Sequence, residues 1–214
     1  AGMIYTIGGS FWEFGGPDVD QSKVLMMFGT AEDHHSNPLK MAITRFKRNG
    51  GRFISVNPVR TGYSAVADEW VPIKPGTDGA FIMAMIKVLV DEDLIDREFL
   101  TEYTNSAQLV RADDGLIARD KDGNELCWDT NSGKAVPFKT DGSAPALTGE
   151  YKLPDGSAAK TSFQLLVDRL ADYSPEWASE ITGIPVKDIY RLARELGTTA
   201  LHQAPPKPEQ KTTQ

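Results

Sequence analysis

The sequence predicts an α/β protein with an open, mainly parallel sheet, helices on both faces, and a β-rich hairpin insertion. Three observations predict this class. Short apolar runs of strand length end in Gly or Asn-Pro, as buried parallel strands do. Segments of helical periodicity with clear stops alternate with those runs. From residue 107 to 160 the alternation gives way to Asp-Gly pairs and short alternating runs, the pattern of small hairpins.

The elements follow in order. Lys23–Phe28 (KVLMMF) is the first strand, stopped by Gly29. A helix follows in SNPLKMAITRFKRNGG: Ser36 or Asn37 can cap it, Pro38 suits its first turn, and Leu39, Ile43 and Phe46 recur at helical spacing. Gly50 and Gly51 end it. Arg52–Val56 (RFISV) is the second strand, stopped by Asn57-Pro58, which completes a βαβ unit. Glu69–Ile73 (EWVPI) is the third. Thr77 or Asp78 then caps DGAFIMAMIKVLVDE, a helix apolar enough to be buried on most of its circumference.

A further helix is expected near Asp96–Tyr103, and then the insertion, with turns at Asp114, Asp122, Asp141 and Asp155. Helices return at Ser162–Tyr173, at Ser174 (SPEW supplies cap, Pro and acid in order), and in IPVKDIYRLARELG, where Gly197 is expected as the stop. The expected organisation is therefore an α/β cofactor-binding core at 1–106, the insertion at 107–160, and a helical return to the α/β domain at 161–199. The polar, Pro-rich tail at 200–214 is expected to be disordered. The core is Rossmann-like in its alternation of strand and helix.

Charge and composition exclude several function classes. A net charge of -7 argues against a nucleic-acid surface, which needs cations to displace counterions. The small cluster Arg45, Lys47, Arg48 and Arg52 reads as a solvated helix end. A single cysteine, Cys127, leaves no disulfide framework and no Cys-rich metal site, and it reads as a packed thiol. No apolar run is long enough to span a bilayer, and no signal peptide is visible in these residues. His34 and His35 beside Glu32 and Asp33 are adjacent, whereas zinc ligands are spaced, so no metal residue is assigned. Trp12 and Phe14 read as core aromatics.

In an open α/β sheet the ligand crevice lies beyond the carboxyl ends of the strands. Three loops meet that condition: Gly29–Asn37, Asn57–Thr61 and Lys74–Asp78. Ser36 and Asn37 stand where a helix begins, so its amides and positive end face an anion such as a pyrophosphate. Asn57 is placed to hydrogen-bond a ribose or base, and Asp78 to accept from the ring N–H and amino group of a guanine. Each loop alone is as well explained by ordinary capping. The G-x-G-x-x-G fingerprint of simple dinucleotide binding is absent from GTAEDHHSN.

The stretches FGTAEDHHSNP and GGRFISVNPVRTGYSAVADEWVPIKPGTDGAFIMAMIKVLVDEDLIDREFLTEYT resemble the molybdopterin-guanine-dinucleotide oxidoreductases of the dimethyl sulfoxide reductase family. YSPEWASEITGIPVKDIYRLARELG is similar to the stretch that closes the same domain in formate dehydrogenase-like and nitrate reductase-like members. The resemblance implies that these loops hold the guanosine diphosphate arm of a bis-guanine-dinucleotide molybdenum or tungsten cofactor. Gly29, Ser36 and Asn37 would lie near phosphate or ribose, Asn57 and Arg60 at the positions of an acid and a base, and Gly76, Thr77 and Asp78 along the guanine pocket. Asn57 departs from the pattern because it cannot be a charged acceptor.

The family's Cys-rich iron–sulfur motif, its metal-ligating residue and its last domain have no counterpart in this sequence. No catalytic residue is assigned, and the chain is expected to be a central fragment of a catalytic subunit that is not catalytic alone. The resemblance implies as partners the remaining domains of that subunit and an iron–sulfur electron-transfer subunit, and it allows an iron–sulfur cluster not ligated by this chain. Substrate and compartment are left open, since any export signal would lie upstream. The alternative reading is a stand-alone Rossmann-like nucleotide-binding or regulatory module without enzymatic activity.

Overall fold

The computed structural model describes residues 19–29, 37–60 and 62–202, which fall into two units, Ala1–Pro75 and Gly76–Gln214. Trp12, Phe14, Glu32–His35, Ser36 and the tail beyond residue 202 lie outside the described residues.

In the first unit, β1 (Val24–Phe28), β2 (Arg52–Val56) and β3 (Glu69–Val71) form a three-stranded sheet in that order. Both pairings are parallel, with Phe28 opposite Val56 and Val56 opposite Val71 at the carboxyl ends. Helix α1 (Asn37–Arg48) connects β1 to β2, and the short helix α2 (Tyr63–Val66) connects β2 to β3. The third strand stops at Val71, short of the expected Ile73, because Pro72 has no N–H to continue the ladder.

The expected Gly-Gly stop of α1 has a defined geometry. Gly50, at φ +82°, donates to Lys47 O at 3.0 Å, and Gly51 donates to Phe46 O at 2.9 Å. These are the two bonds of a Schellman cap, and the left-handed residue they need is a glycine. α1 turns Ile43 and Phe46 inward onto Phe53 of β2 and Tyr63 of α2, with Leu25 and Met27 of β1 partly buried against them. Ser55 and Ser64, both buried, share a 2.7 Å hydrogen bond that ties β2 to α2.

The second unit opens with α3 (Asp78–Asp91), whose Phe81, Ala84, Met85 and Val88 are buried along one face. Helix α4 (Arg97–Tyr103) follows, capped by Asp96, whose carboxylate accepts from Phe99 N at 2.9 Å. The β-rich stretch holds β4 (Leu109–Arg111), β5 (Leu126–Asp129), β6 (Lys134–Pro137), β7 (Glu150–Lys152) and β8 (Ala158–Thr161). They make two antiparallel sheets, ordered β4-β8-β7 and β5-β6.

Only one expected Asp-Gly turn joins two of these strands. Asp155-Gly156 turns β7 into β8, with the Asp155 carboxylate accepting from Ser157 N at 2.9 Å. Asp114-Gly115 and Asp122-Gly123 turn the chain at the isolated bridges Val110–Ile117 and Arg119–Glu125. Leu109, Ala118, Leu126, Leu153 and Ala159 form this region's own small core, covered by Trp128 stacked on Tyr151 at 4.5 Å.

Helices α5 (Ser162–Leu170), α6 (Pro175–Thr182) and α7 (Val186–His202) pack on α3. Ser174 caps α6 as expected, its hydroxyl accepting from Trp177 N at 3.1 Å. The expected stop at Gly197 is a correction: α7 runs through it to His202, and Gly197 is buried. A Cβ there would lie 2.5 Å from Leu89 Cδ2 and 2.8 Å from Leu94 Cβ, so the glycine lets α7 approach the end of α3. Arg194, nearby on α7, grips Glu92 with two 2.8 Å hydrogen bonds. Among the described residues no helix is long and apolar enough to cross a membrane.

Candidate functional site

The sheet of the first unit brings two of the expected site residues side by side. Gly29 leaves β1 and donates its N–H to Val56 O at 3.0 Å, and Asn57 leaves β2 and donates its N–H to Val71 O at 3.1 Å. Each residue therefore extends the ladder one step past its strand, at the carboxyl edge of a parallel sheet. Gly29 adopts φ +65°, and a Cβ built there meets nothing within 4 Å. Its glycine is required by the turn, and among the described residues nothing crowds the position.

Asn57 is 4% exposed. Its Oδ1 accepts from Val59 N at 3.1 Å, an Asx turn that bends the chain toward Arg60. Its main-chain carbonyl accepts the Trp70 indole N–H at 2.8 Å. The side-chain oxygen thus holds the turn. Arg60 follows in an exposed position. Asn37 opens α1, and its side chain, like Ser36, is not among the described features.

Gly76, Thr77 and Asp78 are contiguous at the start of the second unit. Gly76 is exposed at φ +76° with open space around a built Cβ. Thr77 is the N-cap residue: its carbonyl accepts from Ala80 N at 3.0 Å, while its side chain caps no helix amide. Asp78 supplies the one acid of the first turn of α3 and is half-buried. A turn, a hydroxyl and a carboxylate at a helix start suit recognition of a polar ring with adjacent donors.

Two residues that support the β2–β3 edge carry no recognisable sequence motif. Trp70 is one, through its bond to Asn57. Asp68 is the other, pairing with Phe53 through both its N–H (2.8 Å to Phe53 O) and its carboxylate (2.8 Å from Phe53 N). Burial pushes the Asp68 carboxyl up, but hydrogen bonds from Lys47 and Phe53 and the charges of Lys47 and Arg52 outweigh it, leaving its pKa below the ordinary value. The signal for such partners is pairing across strands, which no local pattern displays.

Elsewhere the chemistry is quiet. Cys127 is buried, and burial together with the Asp129 charge pushes its thiol up, away from the reactive thiolate. Among the described residues no group of three His, Cys, Asp or Glu side chains could hold a metal ion.

No family model matches the chain. It is 58% identical over 217 residues to a sulfite dehydrogenase subunit of Allochromatium vinosum, covering 95% of this chain and 22% of that protein. It is 31% identical to dimethyl sulfoxide reductase DmsA of Escherichia coli, covering 92% of this chain and 20% of that protein. The nitrate-inducible formate dehydrogenase major subunit of Escherichia coli is 27% identical over 86% of this chain and 18% of that protein. The chain thus spans about a fifth of the length of these curated relatives. Among solved structures, acetylene hydratase from Pelobacter acetylenicus shares the fold at a TM-score of 0.50 and 21% identity, covering 80% of this chain and 16% of that one.

Proposed function

Because this chain belongs, by homology along most of its length, to the molybdopterin oxidoreductases of the dimethyl sulfoxide reductase family, we propose that it binds the guanosine diphosphate arm of a molybdopterin guanine dinucleotide within a longer catalytic subunit. The observation that carries this reading is the placement of Gly29 and Asn57 together at the carboxyl edge of a parallel sheet, where α/β proteins bind nucleotides.

The residues fit such a group. Gly29, which turns the chain at the end of β1, is assigned with Ser36 and Asn37 to phosphate and ribose. Asn57 acts through the turn it holds, which sets the position of Arg60 for a phosphate oxygen. Gly76, Thr77 and Asp78 are assigned to the guanine, with the Asp78 carboxylate accepting from the ring N–H and the exocyclic amine. The molybdenum or tungsten centre supplies two-electron redox chemistry, and this chain contributes binding and orientation.

The 58% identity to a sulfite dehydrogenase subunit, against 27–31% for the formate and dimethyl sulfoxide enzymes, supports a sulfur oxyanion as the substrate of the whole protein. The proposed partners are the remaining domains of the same polypeptide and an iron–sulfur electron-transfer subunit.

Calorimetric titration with GDP, using ADP and NAD as controls, tests the assignment. Saturable binding of GDP over both controls is expected. Equal binding of all three, or none, overturns it.

A further inference from the structure

A groove in the first unit, between α1 and α2, encloses a cavity of about 460 Å³ whose lining contains none of the residues assigned to the cofactor. Ile43 and Tyr63, both buried, and Val66, 55% exposed, give it an apolar floor. Lys40, Lys47 and Arg48 stand on the same face of α1 and rim it. We propose that this groove is a docking surface for an acidic segment of the remaining polypeptide of the same catalytic subunit, anchored by an apolar side chain. The proposal rests on the reading of this chain as part of a longer subunit.

The chain carries a net -7, yet α1 has four basic residues, Lys40, Arg45, Lys47 and Arg48, and no acidic one. Positive charge is concentrated where the apolar floor is open, and lysine and arginine stems extend that floor while their heads stay at its edge. One carboxylate is already held here. Asp68 lies 2.8 Å from the Lys47 ammonium, which also donates to Val66 O at 2.8 Å. The rim thus accepts a carboxylate beside the exposed Val66, and Arg48 carries the same charge along the helix. The chain covers 22% of the sulfite dehydrogenase subunit, so most of a protein of that size lies outside it. An apolar floor with a charged rim is the anatomy of a protein interface.

Hydrogen exchange on this chain and on the full-length subunit, side by side, tests the docking. Amides of residues 40–48 and 62–66 are expected to exchange about tenfold or more slowly in the longer protein. Zero-length carbodiimide crosslinking should join Lys40 or Lys47 to an Asp or Glu outside these 214 residues. Val66→Asp in the full-length subunit should abolish both signals, while the unfolding midpoint of this chain with the same change stays near that of the parent. Equal exchange in the two proteins overturns the proposal. So do crosslinks confined to residues 1–214, and so does protection that arises only when a separate subunit or inorganic phosphate is added. A reading frame that ends at these residues overturns the functional reading as well, whereas a longer frame with unchanged exchange overturns the docking alone.

Discussion

Trp70 donates its indole N–H to the main-chain carbonyl of Asn57 at 2.8 Å, so a side chain of β3 holds the turn that ends β2. The same Asn57 closes an Asx turn onto Val59 and is almost fully buried. Trp70→Phe keeps an aromatic ring and removes the donor. It should lower stability by roughly 1 kcal/mol, the net value of a hydrogen bond, read as a lower urea midpoint. An unchanged midpoint would show that the turn stands without it.

Asp78→Ala should weaken GDP binding while leaving the fold intact. The carboxylate stands at the first turn of α3 and is half-buried. Calorimetry and a thermal melt on the same sample separate the outcomes. Equal GDP affinity in mutant and parent would remove Asp78 from the site.

Gly197→Ala pits two effects against each other. Alanine favours a helix over glycine by about 1 kcal/mol. Against this, the added methyl would press on Leu89 and Leu94, and overpacking costs about 1–3 kcal/mol. The backbone oxygen of Leu94, 3.2 Å from the same point, limits how far the segment after α3 can yield. We therefore expect a lower unfolding midpoint. A higher midpoint would mean that α7 shifts at little cost.

Asp129 gives the acid limb of the stability curve a specific contributor. Ser132, the Ala144 amide and the Asn131 amide donate to its carboxyl and hold its pKa down at about 2. The folded pKa lies below the unfolded one, so the contribution is present above the ordinary aspartate value of about 3.9 and is lost as pH falls through about 2. Unfolding midpoints of the parent should drop over this window more steeply than those of Asp129→Asn. Parallel curves would assign the acid sensitivity elsewhere.

What the sequence determined by itself is what short-range chemistry encodes. The apolar runs at β1 and β2, the Gly50-Gly51 stop of α1 and the Ser174 cap of α6 each depend on a few neighbouring residues, and each forms as its local pattern predicts. The candidate loops after β1 and β2, and at the start of α3, were legible because strand ends and helix starts mark themselves. Only the tertiary structure decided the rest. β4 pairs with β8 from the far end of the β-rich stretch, and the Trp70 and Asp68 partnerships run between strands. Gly197 looks locally like a stop, but packing against Leu89 and Leu94 keeps it inside α7. The Asn57 Oδ1 closes a local turn onto Val59, and Trp70 braces that turn from the next strand. For the strand pairings, for Gly197 and for the Trp70 brace the deciding partner lies far along the chain, because burial and hydrogen-bond satisfaction are settled by what folds alongside.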